Sequence, residues 1–140
     1  MQITRQADYA LRTIIYLSRL APDEKAPTSI IAKKQHIPSS FLAKIISQLS
    51  VAGLIHTARG AHGGVSLAKN PKEISVLEVI EAIDGPVMLN ECTTNPGICP
   101  FTDDCPMRVV WCDARKDLLE KLETITFEQF SNGKQATLSI

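Results

Sequence analysis

The chain has 140 residues, of which 44% are hydrophobic and 21% are charged, and its formal net charge is zero. This composition excludes an intrinsically disordered chain, and the length suits one compact domain with appended elements. The apolar run Thr13–Leu17 is too short and too closely flanked by arginines for a signal peptide, and no stretch approaches the roughly 20 apolar residues of a membrane span. We therefore expect a cytoplasmic protein without a membrane partner.

The charges are segregated along the chain. Residues 1–72 contain ten Lys/Arg and three Asp/Glu, a net charge of +7, whereas residues 73–140 contain five and twelve, a net charge of −7. A basic half is typical of a protein that binds a polyanion. The alternative is that the two oppositely charged halves pack against each other. The charge pattern therefore divides the chain into a basic region, residues 1–72, which is expected to bind a polyanion, and an acidic region, residues 73–140.

The first predicted element is a helix over residues 3–20, because alanine, leucine and isoleucine recur there at helical spacing. Thr4 is its expected N-cap, and Asp8 lies where a carboxylate stabilises the positive end of the helix dipole.

Two further helices follow, separated by a tight turn. The second helix is predicted to begin at a capping Thr28 or Ser29 and to end near residue 35. The third is predicted to be capped by Ser39 and Ser40 and to end near residue 51, shortly before a glycine. Polar side chains lie off its apolar stripe, so the pair reads as a helix–turn–helix.

A β-hairpin is predicted next. The strand-like runs Leu54–Thr57 and Val65–Lys69 enclose a glycine-rich stretch that carries Arg59 and His62. This hairpin is the wing of a winged helix–turn–helix, so the predicted fold class is mostly α with a small β-hairpin.

The acidic half begins with a helix over residues 74–83, capped by Ser75, and an irregular loop over residues 87–104. A long helix is predicted from Pro106 to Ile125. Its apolar residues repeat at spacings close to those of a coiled-coil seam. The seam consists of Trp111, Ala114, Leu118, Leu122 and Ile125. A helix about 30 Å long needs a partner for this face, either the second copy in a homodimer or its own domain.

The four cysteines, Cys92, Cys99, Cys105 and Cys112, are separated by six, five and six residues. Structural zinc sites use closely spaced cysteine pairs, and none occurs here. Iron–sulfur clusters accept wider spacing on a loop. Cys112 lies two helical turns beyond Cys105, a rise of about 10 Å, so we interpret it as a core or dimer-face residue rather than a ligand.

In this order and spacing, the elements resemble the winged-helix iron–sulfur transcriptional regulators of the IscR, NsrR and RirA type. The resemblance runs from Met1 to about Phe130 and includes Phe41–Ile45 in the third helix, Arg59 and the glycines of the wing, and residues 74–84. It implies a third helix in the major groove, a wing in the minor groove and a homodimer formed by the long helices. The implied function is a regulator of double-stranded DNA, expected to act as a repressor, that senses nitric oxide, redox state or iron.

The DNA-binding residues follow from this resemblance and from side-chain chemistry. Glutamine reads adenine edges and lysine reads guanine edges, whereas an arginine on a narrow hairpin suits the negative minor groove. The start of the first helix is suited to phosphate. The alternative for each residue is a solvated polar side chain. The predicted DNA-binding residues are Thr4, Arg5, Ser39, Ser40, Lys44, Gln48 and Arg59.

By the same resemblance, Cys92, Cys99 and Cys105 hold an iron–sulfur cluster, either [2Fe-2S] or [4Fe-4S]. One branch of these regulators uses a histidine three residues after the last cysteine as the fourth ligand, but Arg108 stands there and cannot ligate. The nitric-oxide-sensing branch uses an aspartate of the partner subunit at the position of Asp8. Its alternative role is helix-dipole stabilisation. Further substitutes are Glu91, Asp103 and Asp104.

Three alternative functions lead to different expectations. The same fold could sense through thiol oxidation without a metal. An enzyme is not expected, because the sequence has no Ser/His/Asp or paired-carboxylate constellation, no phosphate loop and no HExxH, and its three histidines all lie in the basic half. A protein-interaction module would differ from a DNA-binding protein in lacking steeply salt-dependent binding to DNA.

Overall fold

The computed structural model describes residues 2–132, within which five α-helices and one antiparallel hairpin form. The helices are α1 Arg5–Ser18, α2 Thr28–Gln35, α3 Ser39–Val51, α4 Val76–Asp84 and α5 Pro106–Thr124. The strands are β1 Ile55–Ala58 and β2 Gly64–Leu67. The predicted fold class is therefore confirmed, and residues 133–140 of the predicted second region lie outside the described residues.

Side-chain caps define where α1 and α4 begin. The Thr4 hydroxyl accepts a hydrogen bond from the Ala7 backbone N–H at 3.1 Å, and the Ser75 hydroxyl accepts one from the Glu78 N–H at 3.0 Å. Both caps were predicted from sequence, because a hydroxyl or carboxylate just before a helical repeat satisfies an otherwise unpaired N–H group.

The predicted caps of α2 and α3 are wrong. Pro27 and Pro38 occupy the N-cap positions with extended backbone, and neither helix has a side-chain cap hydrogen bond. Thr28 and Ser39 are instead the first helical residues, and both are exposed. Consequently, hydroxyl groups that were expected to cap a helix remain at the surface.

The turn between α2 and α3 is tight and well packed. His36 adopts a left-handed conformation with φ of 52°, and the Ile37 N–H donates to the Ala32 carbonyl at 3.0 Å. Ile37 itself is buried. The turn therefore fixes the angle between the two helices through both backbone and core contacts.

The two strands of the wing, β1 and β2, pair in antiparallel register, with Thr57 opposite Val65. A short stretch before α2 extends this pairing, because Ala26 and Val65 exchange two backbone hydrogen bonds of 3.0 and 2.8 Å. Glycine is required at position 64, next to this pairing with Ala26. Its φ is +145°, and a Cβ at this position would lie 2.8 Å from the Ala26 carbonyl oxygen. The wing is therefore held to the start of α2.

A single hydrophobic core joins the two halves of the chain. Ile14 of α1 is fully buried, as are Ile74, Val79 of α4 and Phe127 of the short 3₁₀ turn Phe127–Phe130. The segment that follows α5 returns to this core, since the Phe127 N–H donates to the Ile74 carbonyl at 3.1 Å. The predicted boundary at residue 72 therefore separates a basic from an acidic stretch of sequence, but both stretches contribute to the same hydrophobic core. The division of functions between them stays a prediction.

Replacement of Phe127 by alanine is expected to lower the free energy of unfolding by about 3–5 kcal/mol, because it removes a fully buried aromatic ring and leaves a cavity. Chemical denaturation followed by circular dichroism measures this change. Phe101→Ala is the matched control: that ring is 70% exposed, so a change below about 0.5 kcal/mol is expected. Equal changes in the two variants would contradict the described packing.

The long helix α5 packs on its own domain only in part. It contacts α4 and the 3₁₀ turn Glu91–Thr93, yet none of its residues is fully buried. Within the predicted seam Ala114 is exposed, and the other four residues are half-buried. Within residues 2–132, no helix is both long and apolar enough to cross a membrane.

Candidate nucleic-acid interface and cysteine loop

The outward face of α3 presents a polar surface opposite its buried stripe. Leu42, Ile45, Ile46 and Leu49 are buried. Ser39, Ser40 and Lys44 are exposed, as predicted for a recognition surface. Sequence reasoning left Ser47 out of the predicted site, although it is exposed on the same face; its helical spacing from Ser40 and Lys44 was the available signal.

Gln48 is less accessible than the other residues of α3 that were predicted to contact DNA. Its side-chain oxygen Oε1 is buried, and it makes no hydrogen bond to any residue that the structure describes. A bidentate contact with adenine needs both the amide oxygen and the amide nitrogen to be accessible. Gln48 lies at the edge of the outward face of α3, and its contact with DNA stays a prediction.

The N-terminus of α2 lies between α3 and the wing, which the sequence did not indicate. Thr28 lines a groove of about 360 Å³ together with Ser39 and Ala43 of α3. It also lines a second groove of about 270 Å³ beside Gly60 and Gly63 of the wing. Its backbone N–H and those that follow begin a helix without a side-chain cap, so they can bind an anion.

The wing tip is a five-residue loop that carries exposed basic side chains. Arg59 and His62 are both exposed, and the loop is closed by a hydrogen bond of 2.9 Å from the Gly63 N–H to the Gly60 carbonyl. A Cβ at Gly63 would overlap the carbonyl oxygen of Ala58, so a tight hairpin requires glycine there. Arg59 is thus presented on a compact, protruding loop.

Thr4 has a different partner from the phosphate that was predicted. Its hydroxyl donates to Asp84 Oδ1 at 2.5 Å, and its backbone N–H donates to Asp84 Oδ2 at 3.3 Å. A phosphate at Thr4 would therefore meet an acidic side chain from the end of α4. Thr4 thus joins α1 to α4 and, like the neighbouring Arg5, is exposed, so phosphate binding by these two residues stays a prediction.

The charge segregation is not explained by the two halves neutralising each other. Among residues 2–132 two salt bridges form, and Lys69–Glu78 at 2.8 Å is the only one that joins the basic half to the acidic half. Most basic side chains, including Lys44 and Arg59, are instead exposed. This distribution favours an external polyanion.

The cysteine loop is held to α5 by two arginines. Arg115 donates through Nε to the Val87 carbonyl at 2.7 Å, and Arg108 donates through Nε to the Cys92 carbonyl at 3.3 Å. Arg108 was predicted to be unable to ligate a metal, and the structure gives it this positioning contact. Cys105 immediately precedes α5, which begins at Pro106 as predicted.

The cysteine thiols are the candidate ligands of an iron–sulfur cluster. All four cysteines are free and half-buried. No group of three or more His, Cys, Asp or Glu side chains within residues 2–132 is gathered closely enough to hold a metal ion, so the loop of a single chain does not assemble the site. The donor chemistry nevertheless fits a cluster, because three soft thiols share one loop. A buried, unpartnered hydroxyl, Thr102 Oγ1, lies in the same loop.

Asp8, the predicted fourth ligand, is accessible to a partner. Its side chain is 52% exposed and forms a salt bridge of 2.6 Å with Arg12, one helical turn later. Arg12 also donates to the Gln35 carbonyl at the end of α2 and lies over the ring of Tyr9. An exposed pair of this kind is worth about 0.2–1 kcal/mol, so its loss would cost little if the carboxylate bound a metal.

The fold and its exposed basic and polar surface define a class of protein: a winged helix–turn–helix, DNA-binding transcriptional regulator. The family model Rrf2, described as an iron-dependent transcriptional regulator, matches residues 3–133. The chain belongs to this family, which confirms the resemblance seen in the sequence.

Individual relatives agree with this assignment. The chain is 32% identical to the transcriptional regulator NsrR of Geobacillus kaustophilus, over 100% of this chain and 96% of that protein. It is 30% identical to IscR of Pectobacterium carotovorum subsp. carotovorum, over 96% and 82% of the two chains. Among solved structures, CymR of B. subtilis, a global cysteine regulator, superposes with a TM-score of 0.82 at 25% identity, covering 96% of this chain and 99% of its own.

Proposed function

We propose that the protein is a homodimeric, cytoplasmic repressor whose binding to double-stranded DNA is switched by an iron–sulfur cluster bound to Cys92, Cys99 and Cys105. One observation carries this proposal. The cysteine loop follows α4, whose last residue Asp84 is hydrogen-bonded to Thr4 at the start of α1, and the loop carbonyls of Val87 and Cys92 accept hydrogen bonds from two arginines of α5. A change in the loop can therefore reach both the DNA-binding helices and the predicted dimer helix.

The DNA contacts follow from the exposed face of α3 and the wing. Ser40, Lys44 and Ser47 would enter the major groove, with Lys44 suited to the acceptors of guanine. Arg59 would enter the minor groove, where the negative potential attracts a guanidinium group. The uncapped start of α2 at Thr28 lies between these two surfaces and would bind the intervening phosphate.

The cluster site would be completed by closure of the cysteine loop and by a ligand from outside it. The three thiols would bind as thiolates, and the partner subunit's Asp8 would supply the fourth, oxygen ligand. When bound, the cluster supplies a centre that reacts with nitric oxide or oxidants or loses iron. An oxygen ligand among thiolates is the weak and replaceable position, because soft iron–sulfur sites prefer sulfur.

The switch would act through the geometry of the dimer. In symmetric DNA-binding dimers, the spacing of the two recognition helices must match the spacing of the two half-sites. Arg108 and Arg115 hold the loop to α5, so an ordered loop would fix α5 relative to α4 and α1. Loss of the cluster would release this constraint and change the affinity for DNA by biasing a two-state element.

The homodimer is proposed to form along the side of α5 that carries the predicted seam. Ala114 is exposed on this face, and Met107 and Val110 beside it are 45% and 49% exposed. We expect Ala114→Asp to yield a monomer, because a carboxylate would be buried in an apolar interface, at a position where it disturbs no packing within one chain. Sedimentation velocity at micromolar concentration measures the change.

The matched control for this variant is Val109→Asp. Val109 is 71% exposed and lies on the opposite side of α5, so this variant is expected to remain a dimer. A monomeric wild type, or a dimer unaffected by Ala114→Asp, would contradict the proposed interface.

A second candidate function has its own support: the same regulator sensing through thiol oxidation. The four cysteines are free, half-buried and not gathered into a metal site within residues 2–132. A neighbour of closely similar fold, CymR, is described as a cysteine regulator. Oxidation of two thiols to a disulfide would also constrain the loop.

One experiment tests the proposed function against this candidate. Protein purified without oxygen is analysed for iron, sulfide and visible absorbance, and its binding to DNA fragments selected from genomic DNA is measured at several salt concentrations. We expect bound iron and a steep decrease in affinity with salt. Iron-free protein with DNA binding that responds to oxidants would favour thiol sensing, and salt-independent binding would contradict a DNA-binding function.

A further inference from the structure

Two residues of the cysteine loop, residues 87–104, are buried: Val87 and Thr102, of which only Thr102 is polar. It lies between Cys99 and Cys105, and 8% of its surface is exposed. Its hydroxyl oxygen Oγ1 is buried and makes no hydrogen bond to any residue within 2–132. Burial of a hydroxyl without a hydrogen-bond partner destabilises the folded state. A partner that binds to the loop would remove this cost.

The hydroxyl groups of the other two threonines in the loop, Thr93 and Thr94, have hydrogen-bond partners. The hydroxyl of Thr93 donates to the Asn90 carbonyl at 2.7 Å, and that of Thr94 lies 3.3 Å from the Glu91 carbonyl and 3.7 Å from Met88 Sδ, either of which can accept its hydrogen. Both hydroxyls therefore find an acceptor close to them in the sequence. Thr102 has the same local opportunity, since its N–H donates to the Cys99 carbonyl at 3.2 Å, yet its hydroxyl is not used in this way.

The neighbouring residue strengthens this contrast. Phe101 is 70% exposed, whereas Thr102 beside it is buried. Hydrophobic burial alone would favour the opposite arrangement, with the phenyl ring inside and the hydroxyl in water. The loop therefore buries a hydrogen-bond donor at a sequence position between Cys99 and Cys105, two of the three cysteines of the proposed site.

We propose that the Thr102 hydroxyl donates a hydrogen bond to a sulfur atom of the cluster site, either a cysteine Sγ or a cluster sulfide. This inference rests on the proposed function, because it needs a cluster bound to Cys92, Cys99 and Cys105. A hydrogen bond to sulfur stabilises the more negatively charged, reduced state and so raises the reduction potential. It also orients the ligand and slows loss of the metal. Thr102 is thus a positioning residue that tunes the site.

The test compares wild type with Thr102→Val, Thr102→Ser and Thr94→Val, all purified without oxygen. Valine keeps the shape of threonine but removes the hydroxyl, whereas serine keeps the hydroxyl but removes the methyl group. Thr94→Val is the matched control, because it removes an exposed hydroxyl of the same loop that has acceptors close to it in the sequence. Three quantities are measured: iron content, the rate of iron transfer to a chelator, and the reduction potential.

We expect Thr102→Val to release iron about tenfold faster than wild type, the scale on which outer-shell partners of metal ligands act, and to have a more negative reduction potential. Thr102→Ser and Thr94→Val are expected to match wild type. Should Thr102→Val fail to fold, Thr102→Ser against Thr102→Ala gives the same comparison of hydroxyl with no hydroxyl.

Three outcomes would overturn the inference. If Thr102→Val matches wild type in both rate and potential, while wild type binds iron, the hydroxyl has no role and the proposed function still stands. If Thr102→Ser is as impaired as Thr102→Val, packing of the methyl group is responsible. If the wild type binds no iron at all, the proposed function and this inference fail together.

Discussion

Replacement of Cys92, Cys99 or Cys105 by alanine is expected to abolish the bound iron and visible absorbance of protein purified without oxygen. Each thiolate is one of only three cysteine ligands available to the proposed site, and the remaining two cannot hold a cluster against loss to solvent. Iron and sulfide analysis together with absorbance spectroscopy measures the effect. Circular dichroism is expected to show that the helices remain, because all three residues lie outside the hydrophobic core.

The matched control is Cys112→Ala, which also removes a free, half-buried cysteine. Cys112 lies within α5, about 10 Å of helical rise beyond Cys105, and this variant is expected to retain full iron content. Asp8→Ala is expected to bind a cluster but to lose it more readily than wild type, because this variant removes only the oxygen ligand and keeps all three thiolates. The ligand assignment would be contradicted if Cys112→Ala lost its iron while the alanine variant of Cys92, Cys99 or Cys105 kept it.

Replacement of Arg59 by alanine is expected to weaken DNA binding by about tenfold or more, the scale of a single specific arginine contact. Arg59 is exposed on the tight loop of the wing and lies outside the hydrophobic core, so the fold and the dimer are expected to be unchanged. Fluorescence anisotropy with a genomic DNA fragment that the wild type binds measures the affinity at fixed salt.

Lys116→Ala serves as the matched control for Arg59→Ala. Lys116 is exposed on α5, in the acidic half of the chain, and its replacement removes the same single positive charge. If loss of net charge alone weakened binding, the two variants would behave alike. Affinity unchanged in Arg59→Ala, or reduced equally in both variants, would contradict a wing that binds the minor groove.

Local signals in the sequence predicted most of the fold. The N-caps of α1 and α4 were predicted correctly, because Thr4 and Ser75 cap these helices through their own side chains, although the helices begin two residues later than predicted. The start of α5 was correct because proline favours the first helical turn. The caps of α2 and α3 were missed because Pro27 and Pro38 take those positions, and a serine or threonine after proline gives the same sequence signal whether it caps a helix or begins it.

The candidate site was predicted less completely, because several of its features depend on contacts between distant parts of the chain. Asp84 binds Thr4 across 80 residues, which no local pattern indicates. Gln48 lies off the apolar stripe in sequence, yet its amide oxygen is buried by the surrounding fold. Likewise, burial of Thr102 next to an exposed Phe101 reverses what hydrophobicity predicts for the pair.

The central claim is that the state of the cysteine loop controls DNA binding, and one measurement tests it most directly. The affinity of the same preparation for DNA is measured without oxygen, before and after removal of bound iron by a chelator, with Cys112→Ala treated in parallel. The proposal predicts an affinity change of at least about tenfold, equivalent to about 1.4 kcal/mol, in both proteins. Equal affinity before and after the removal of iron would contradict control of DNA binding by a cluster.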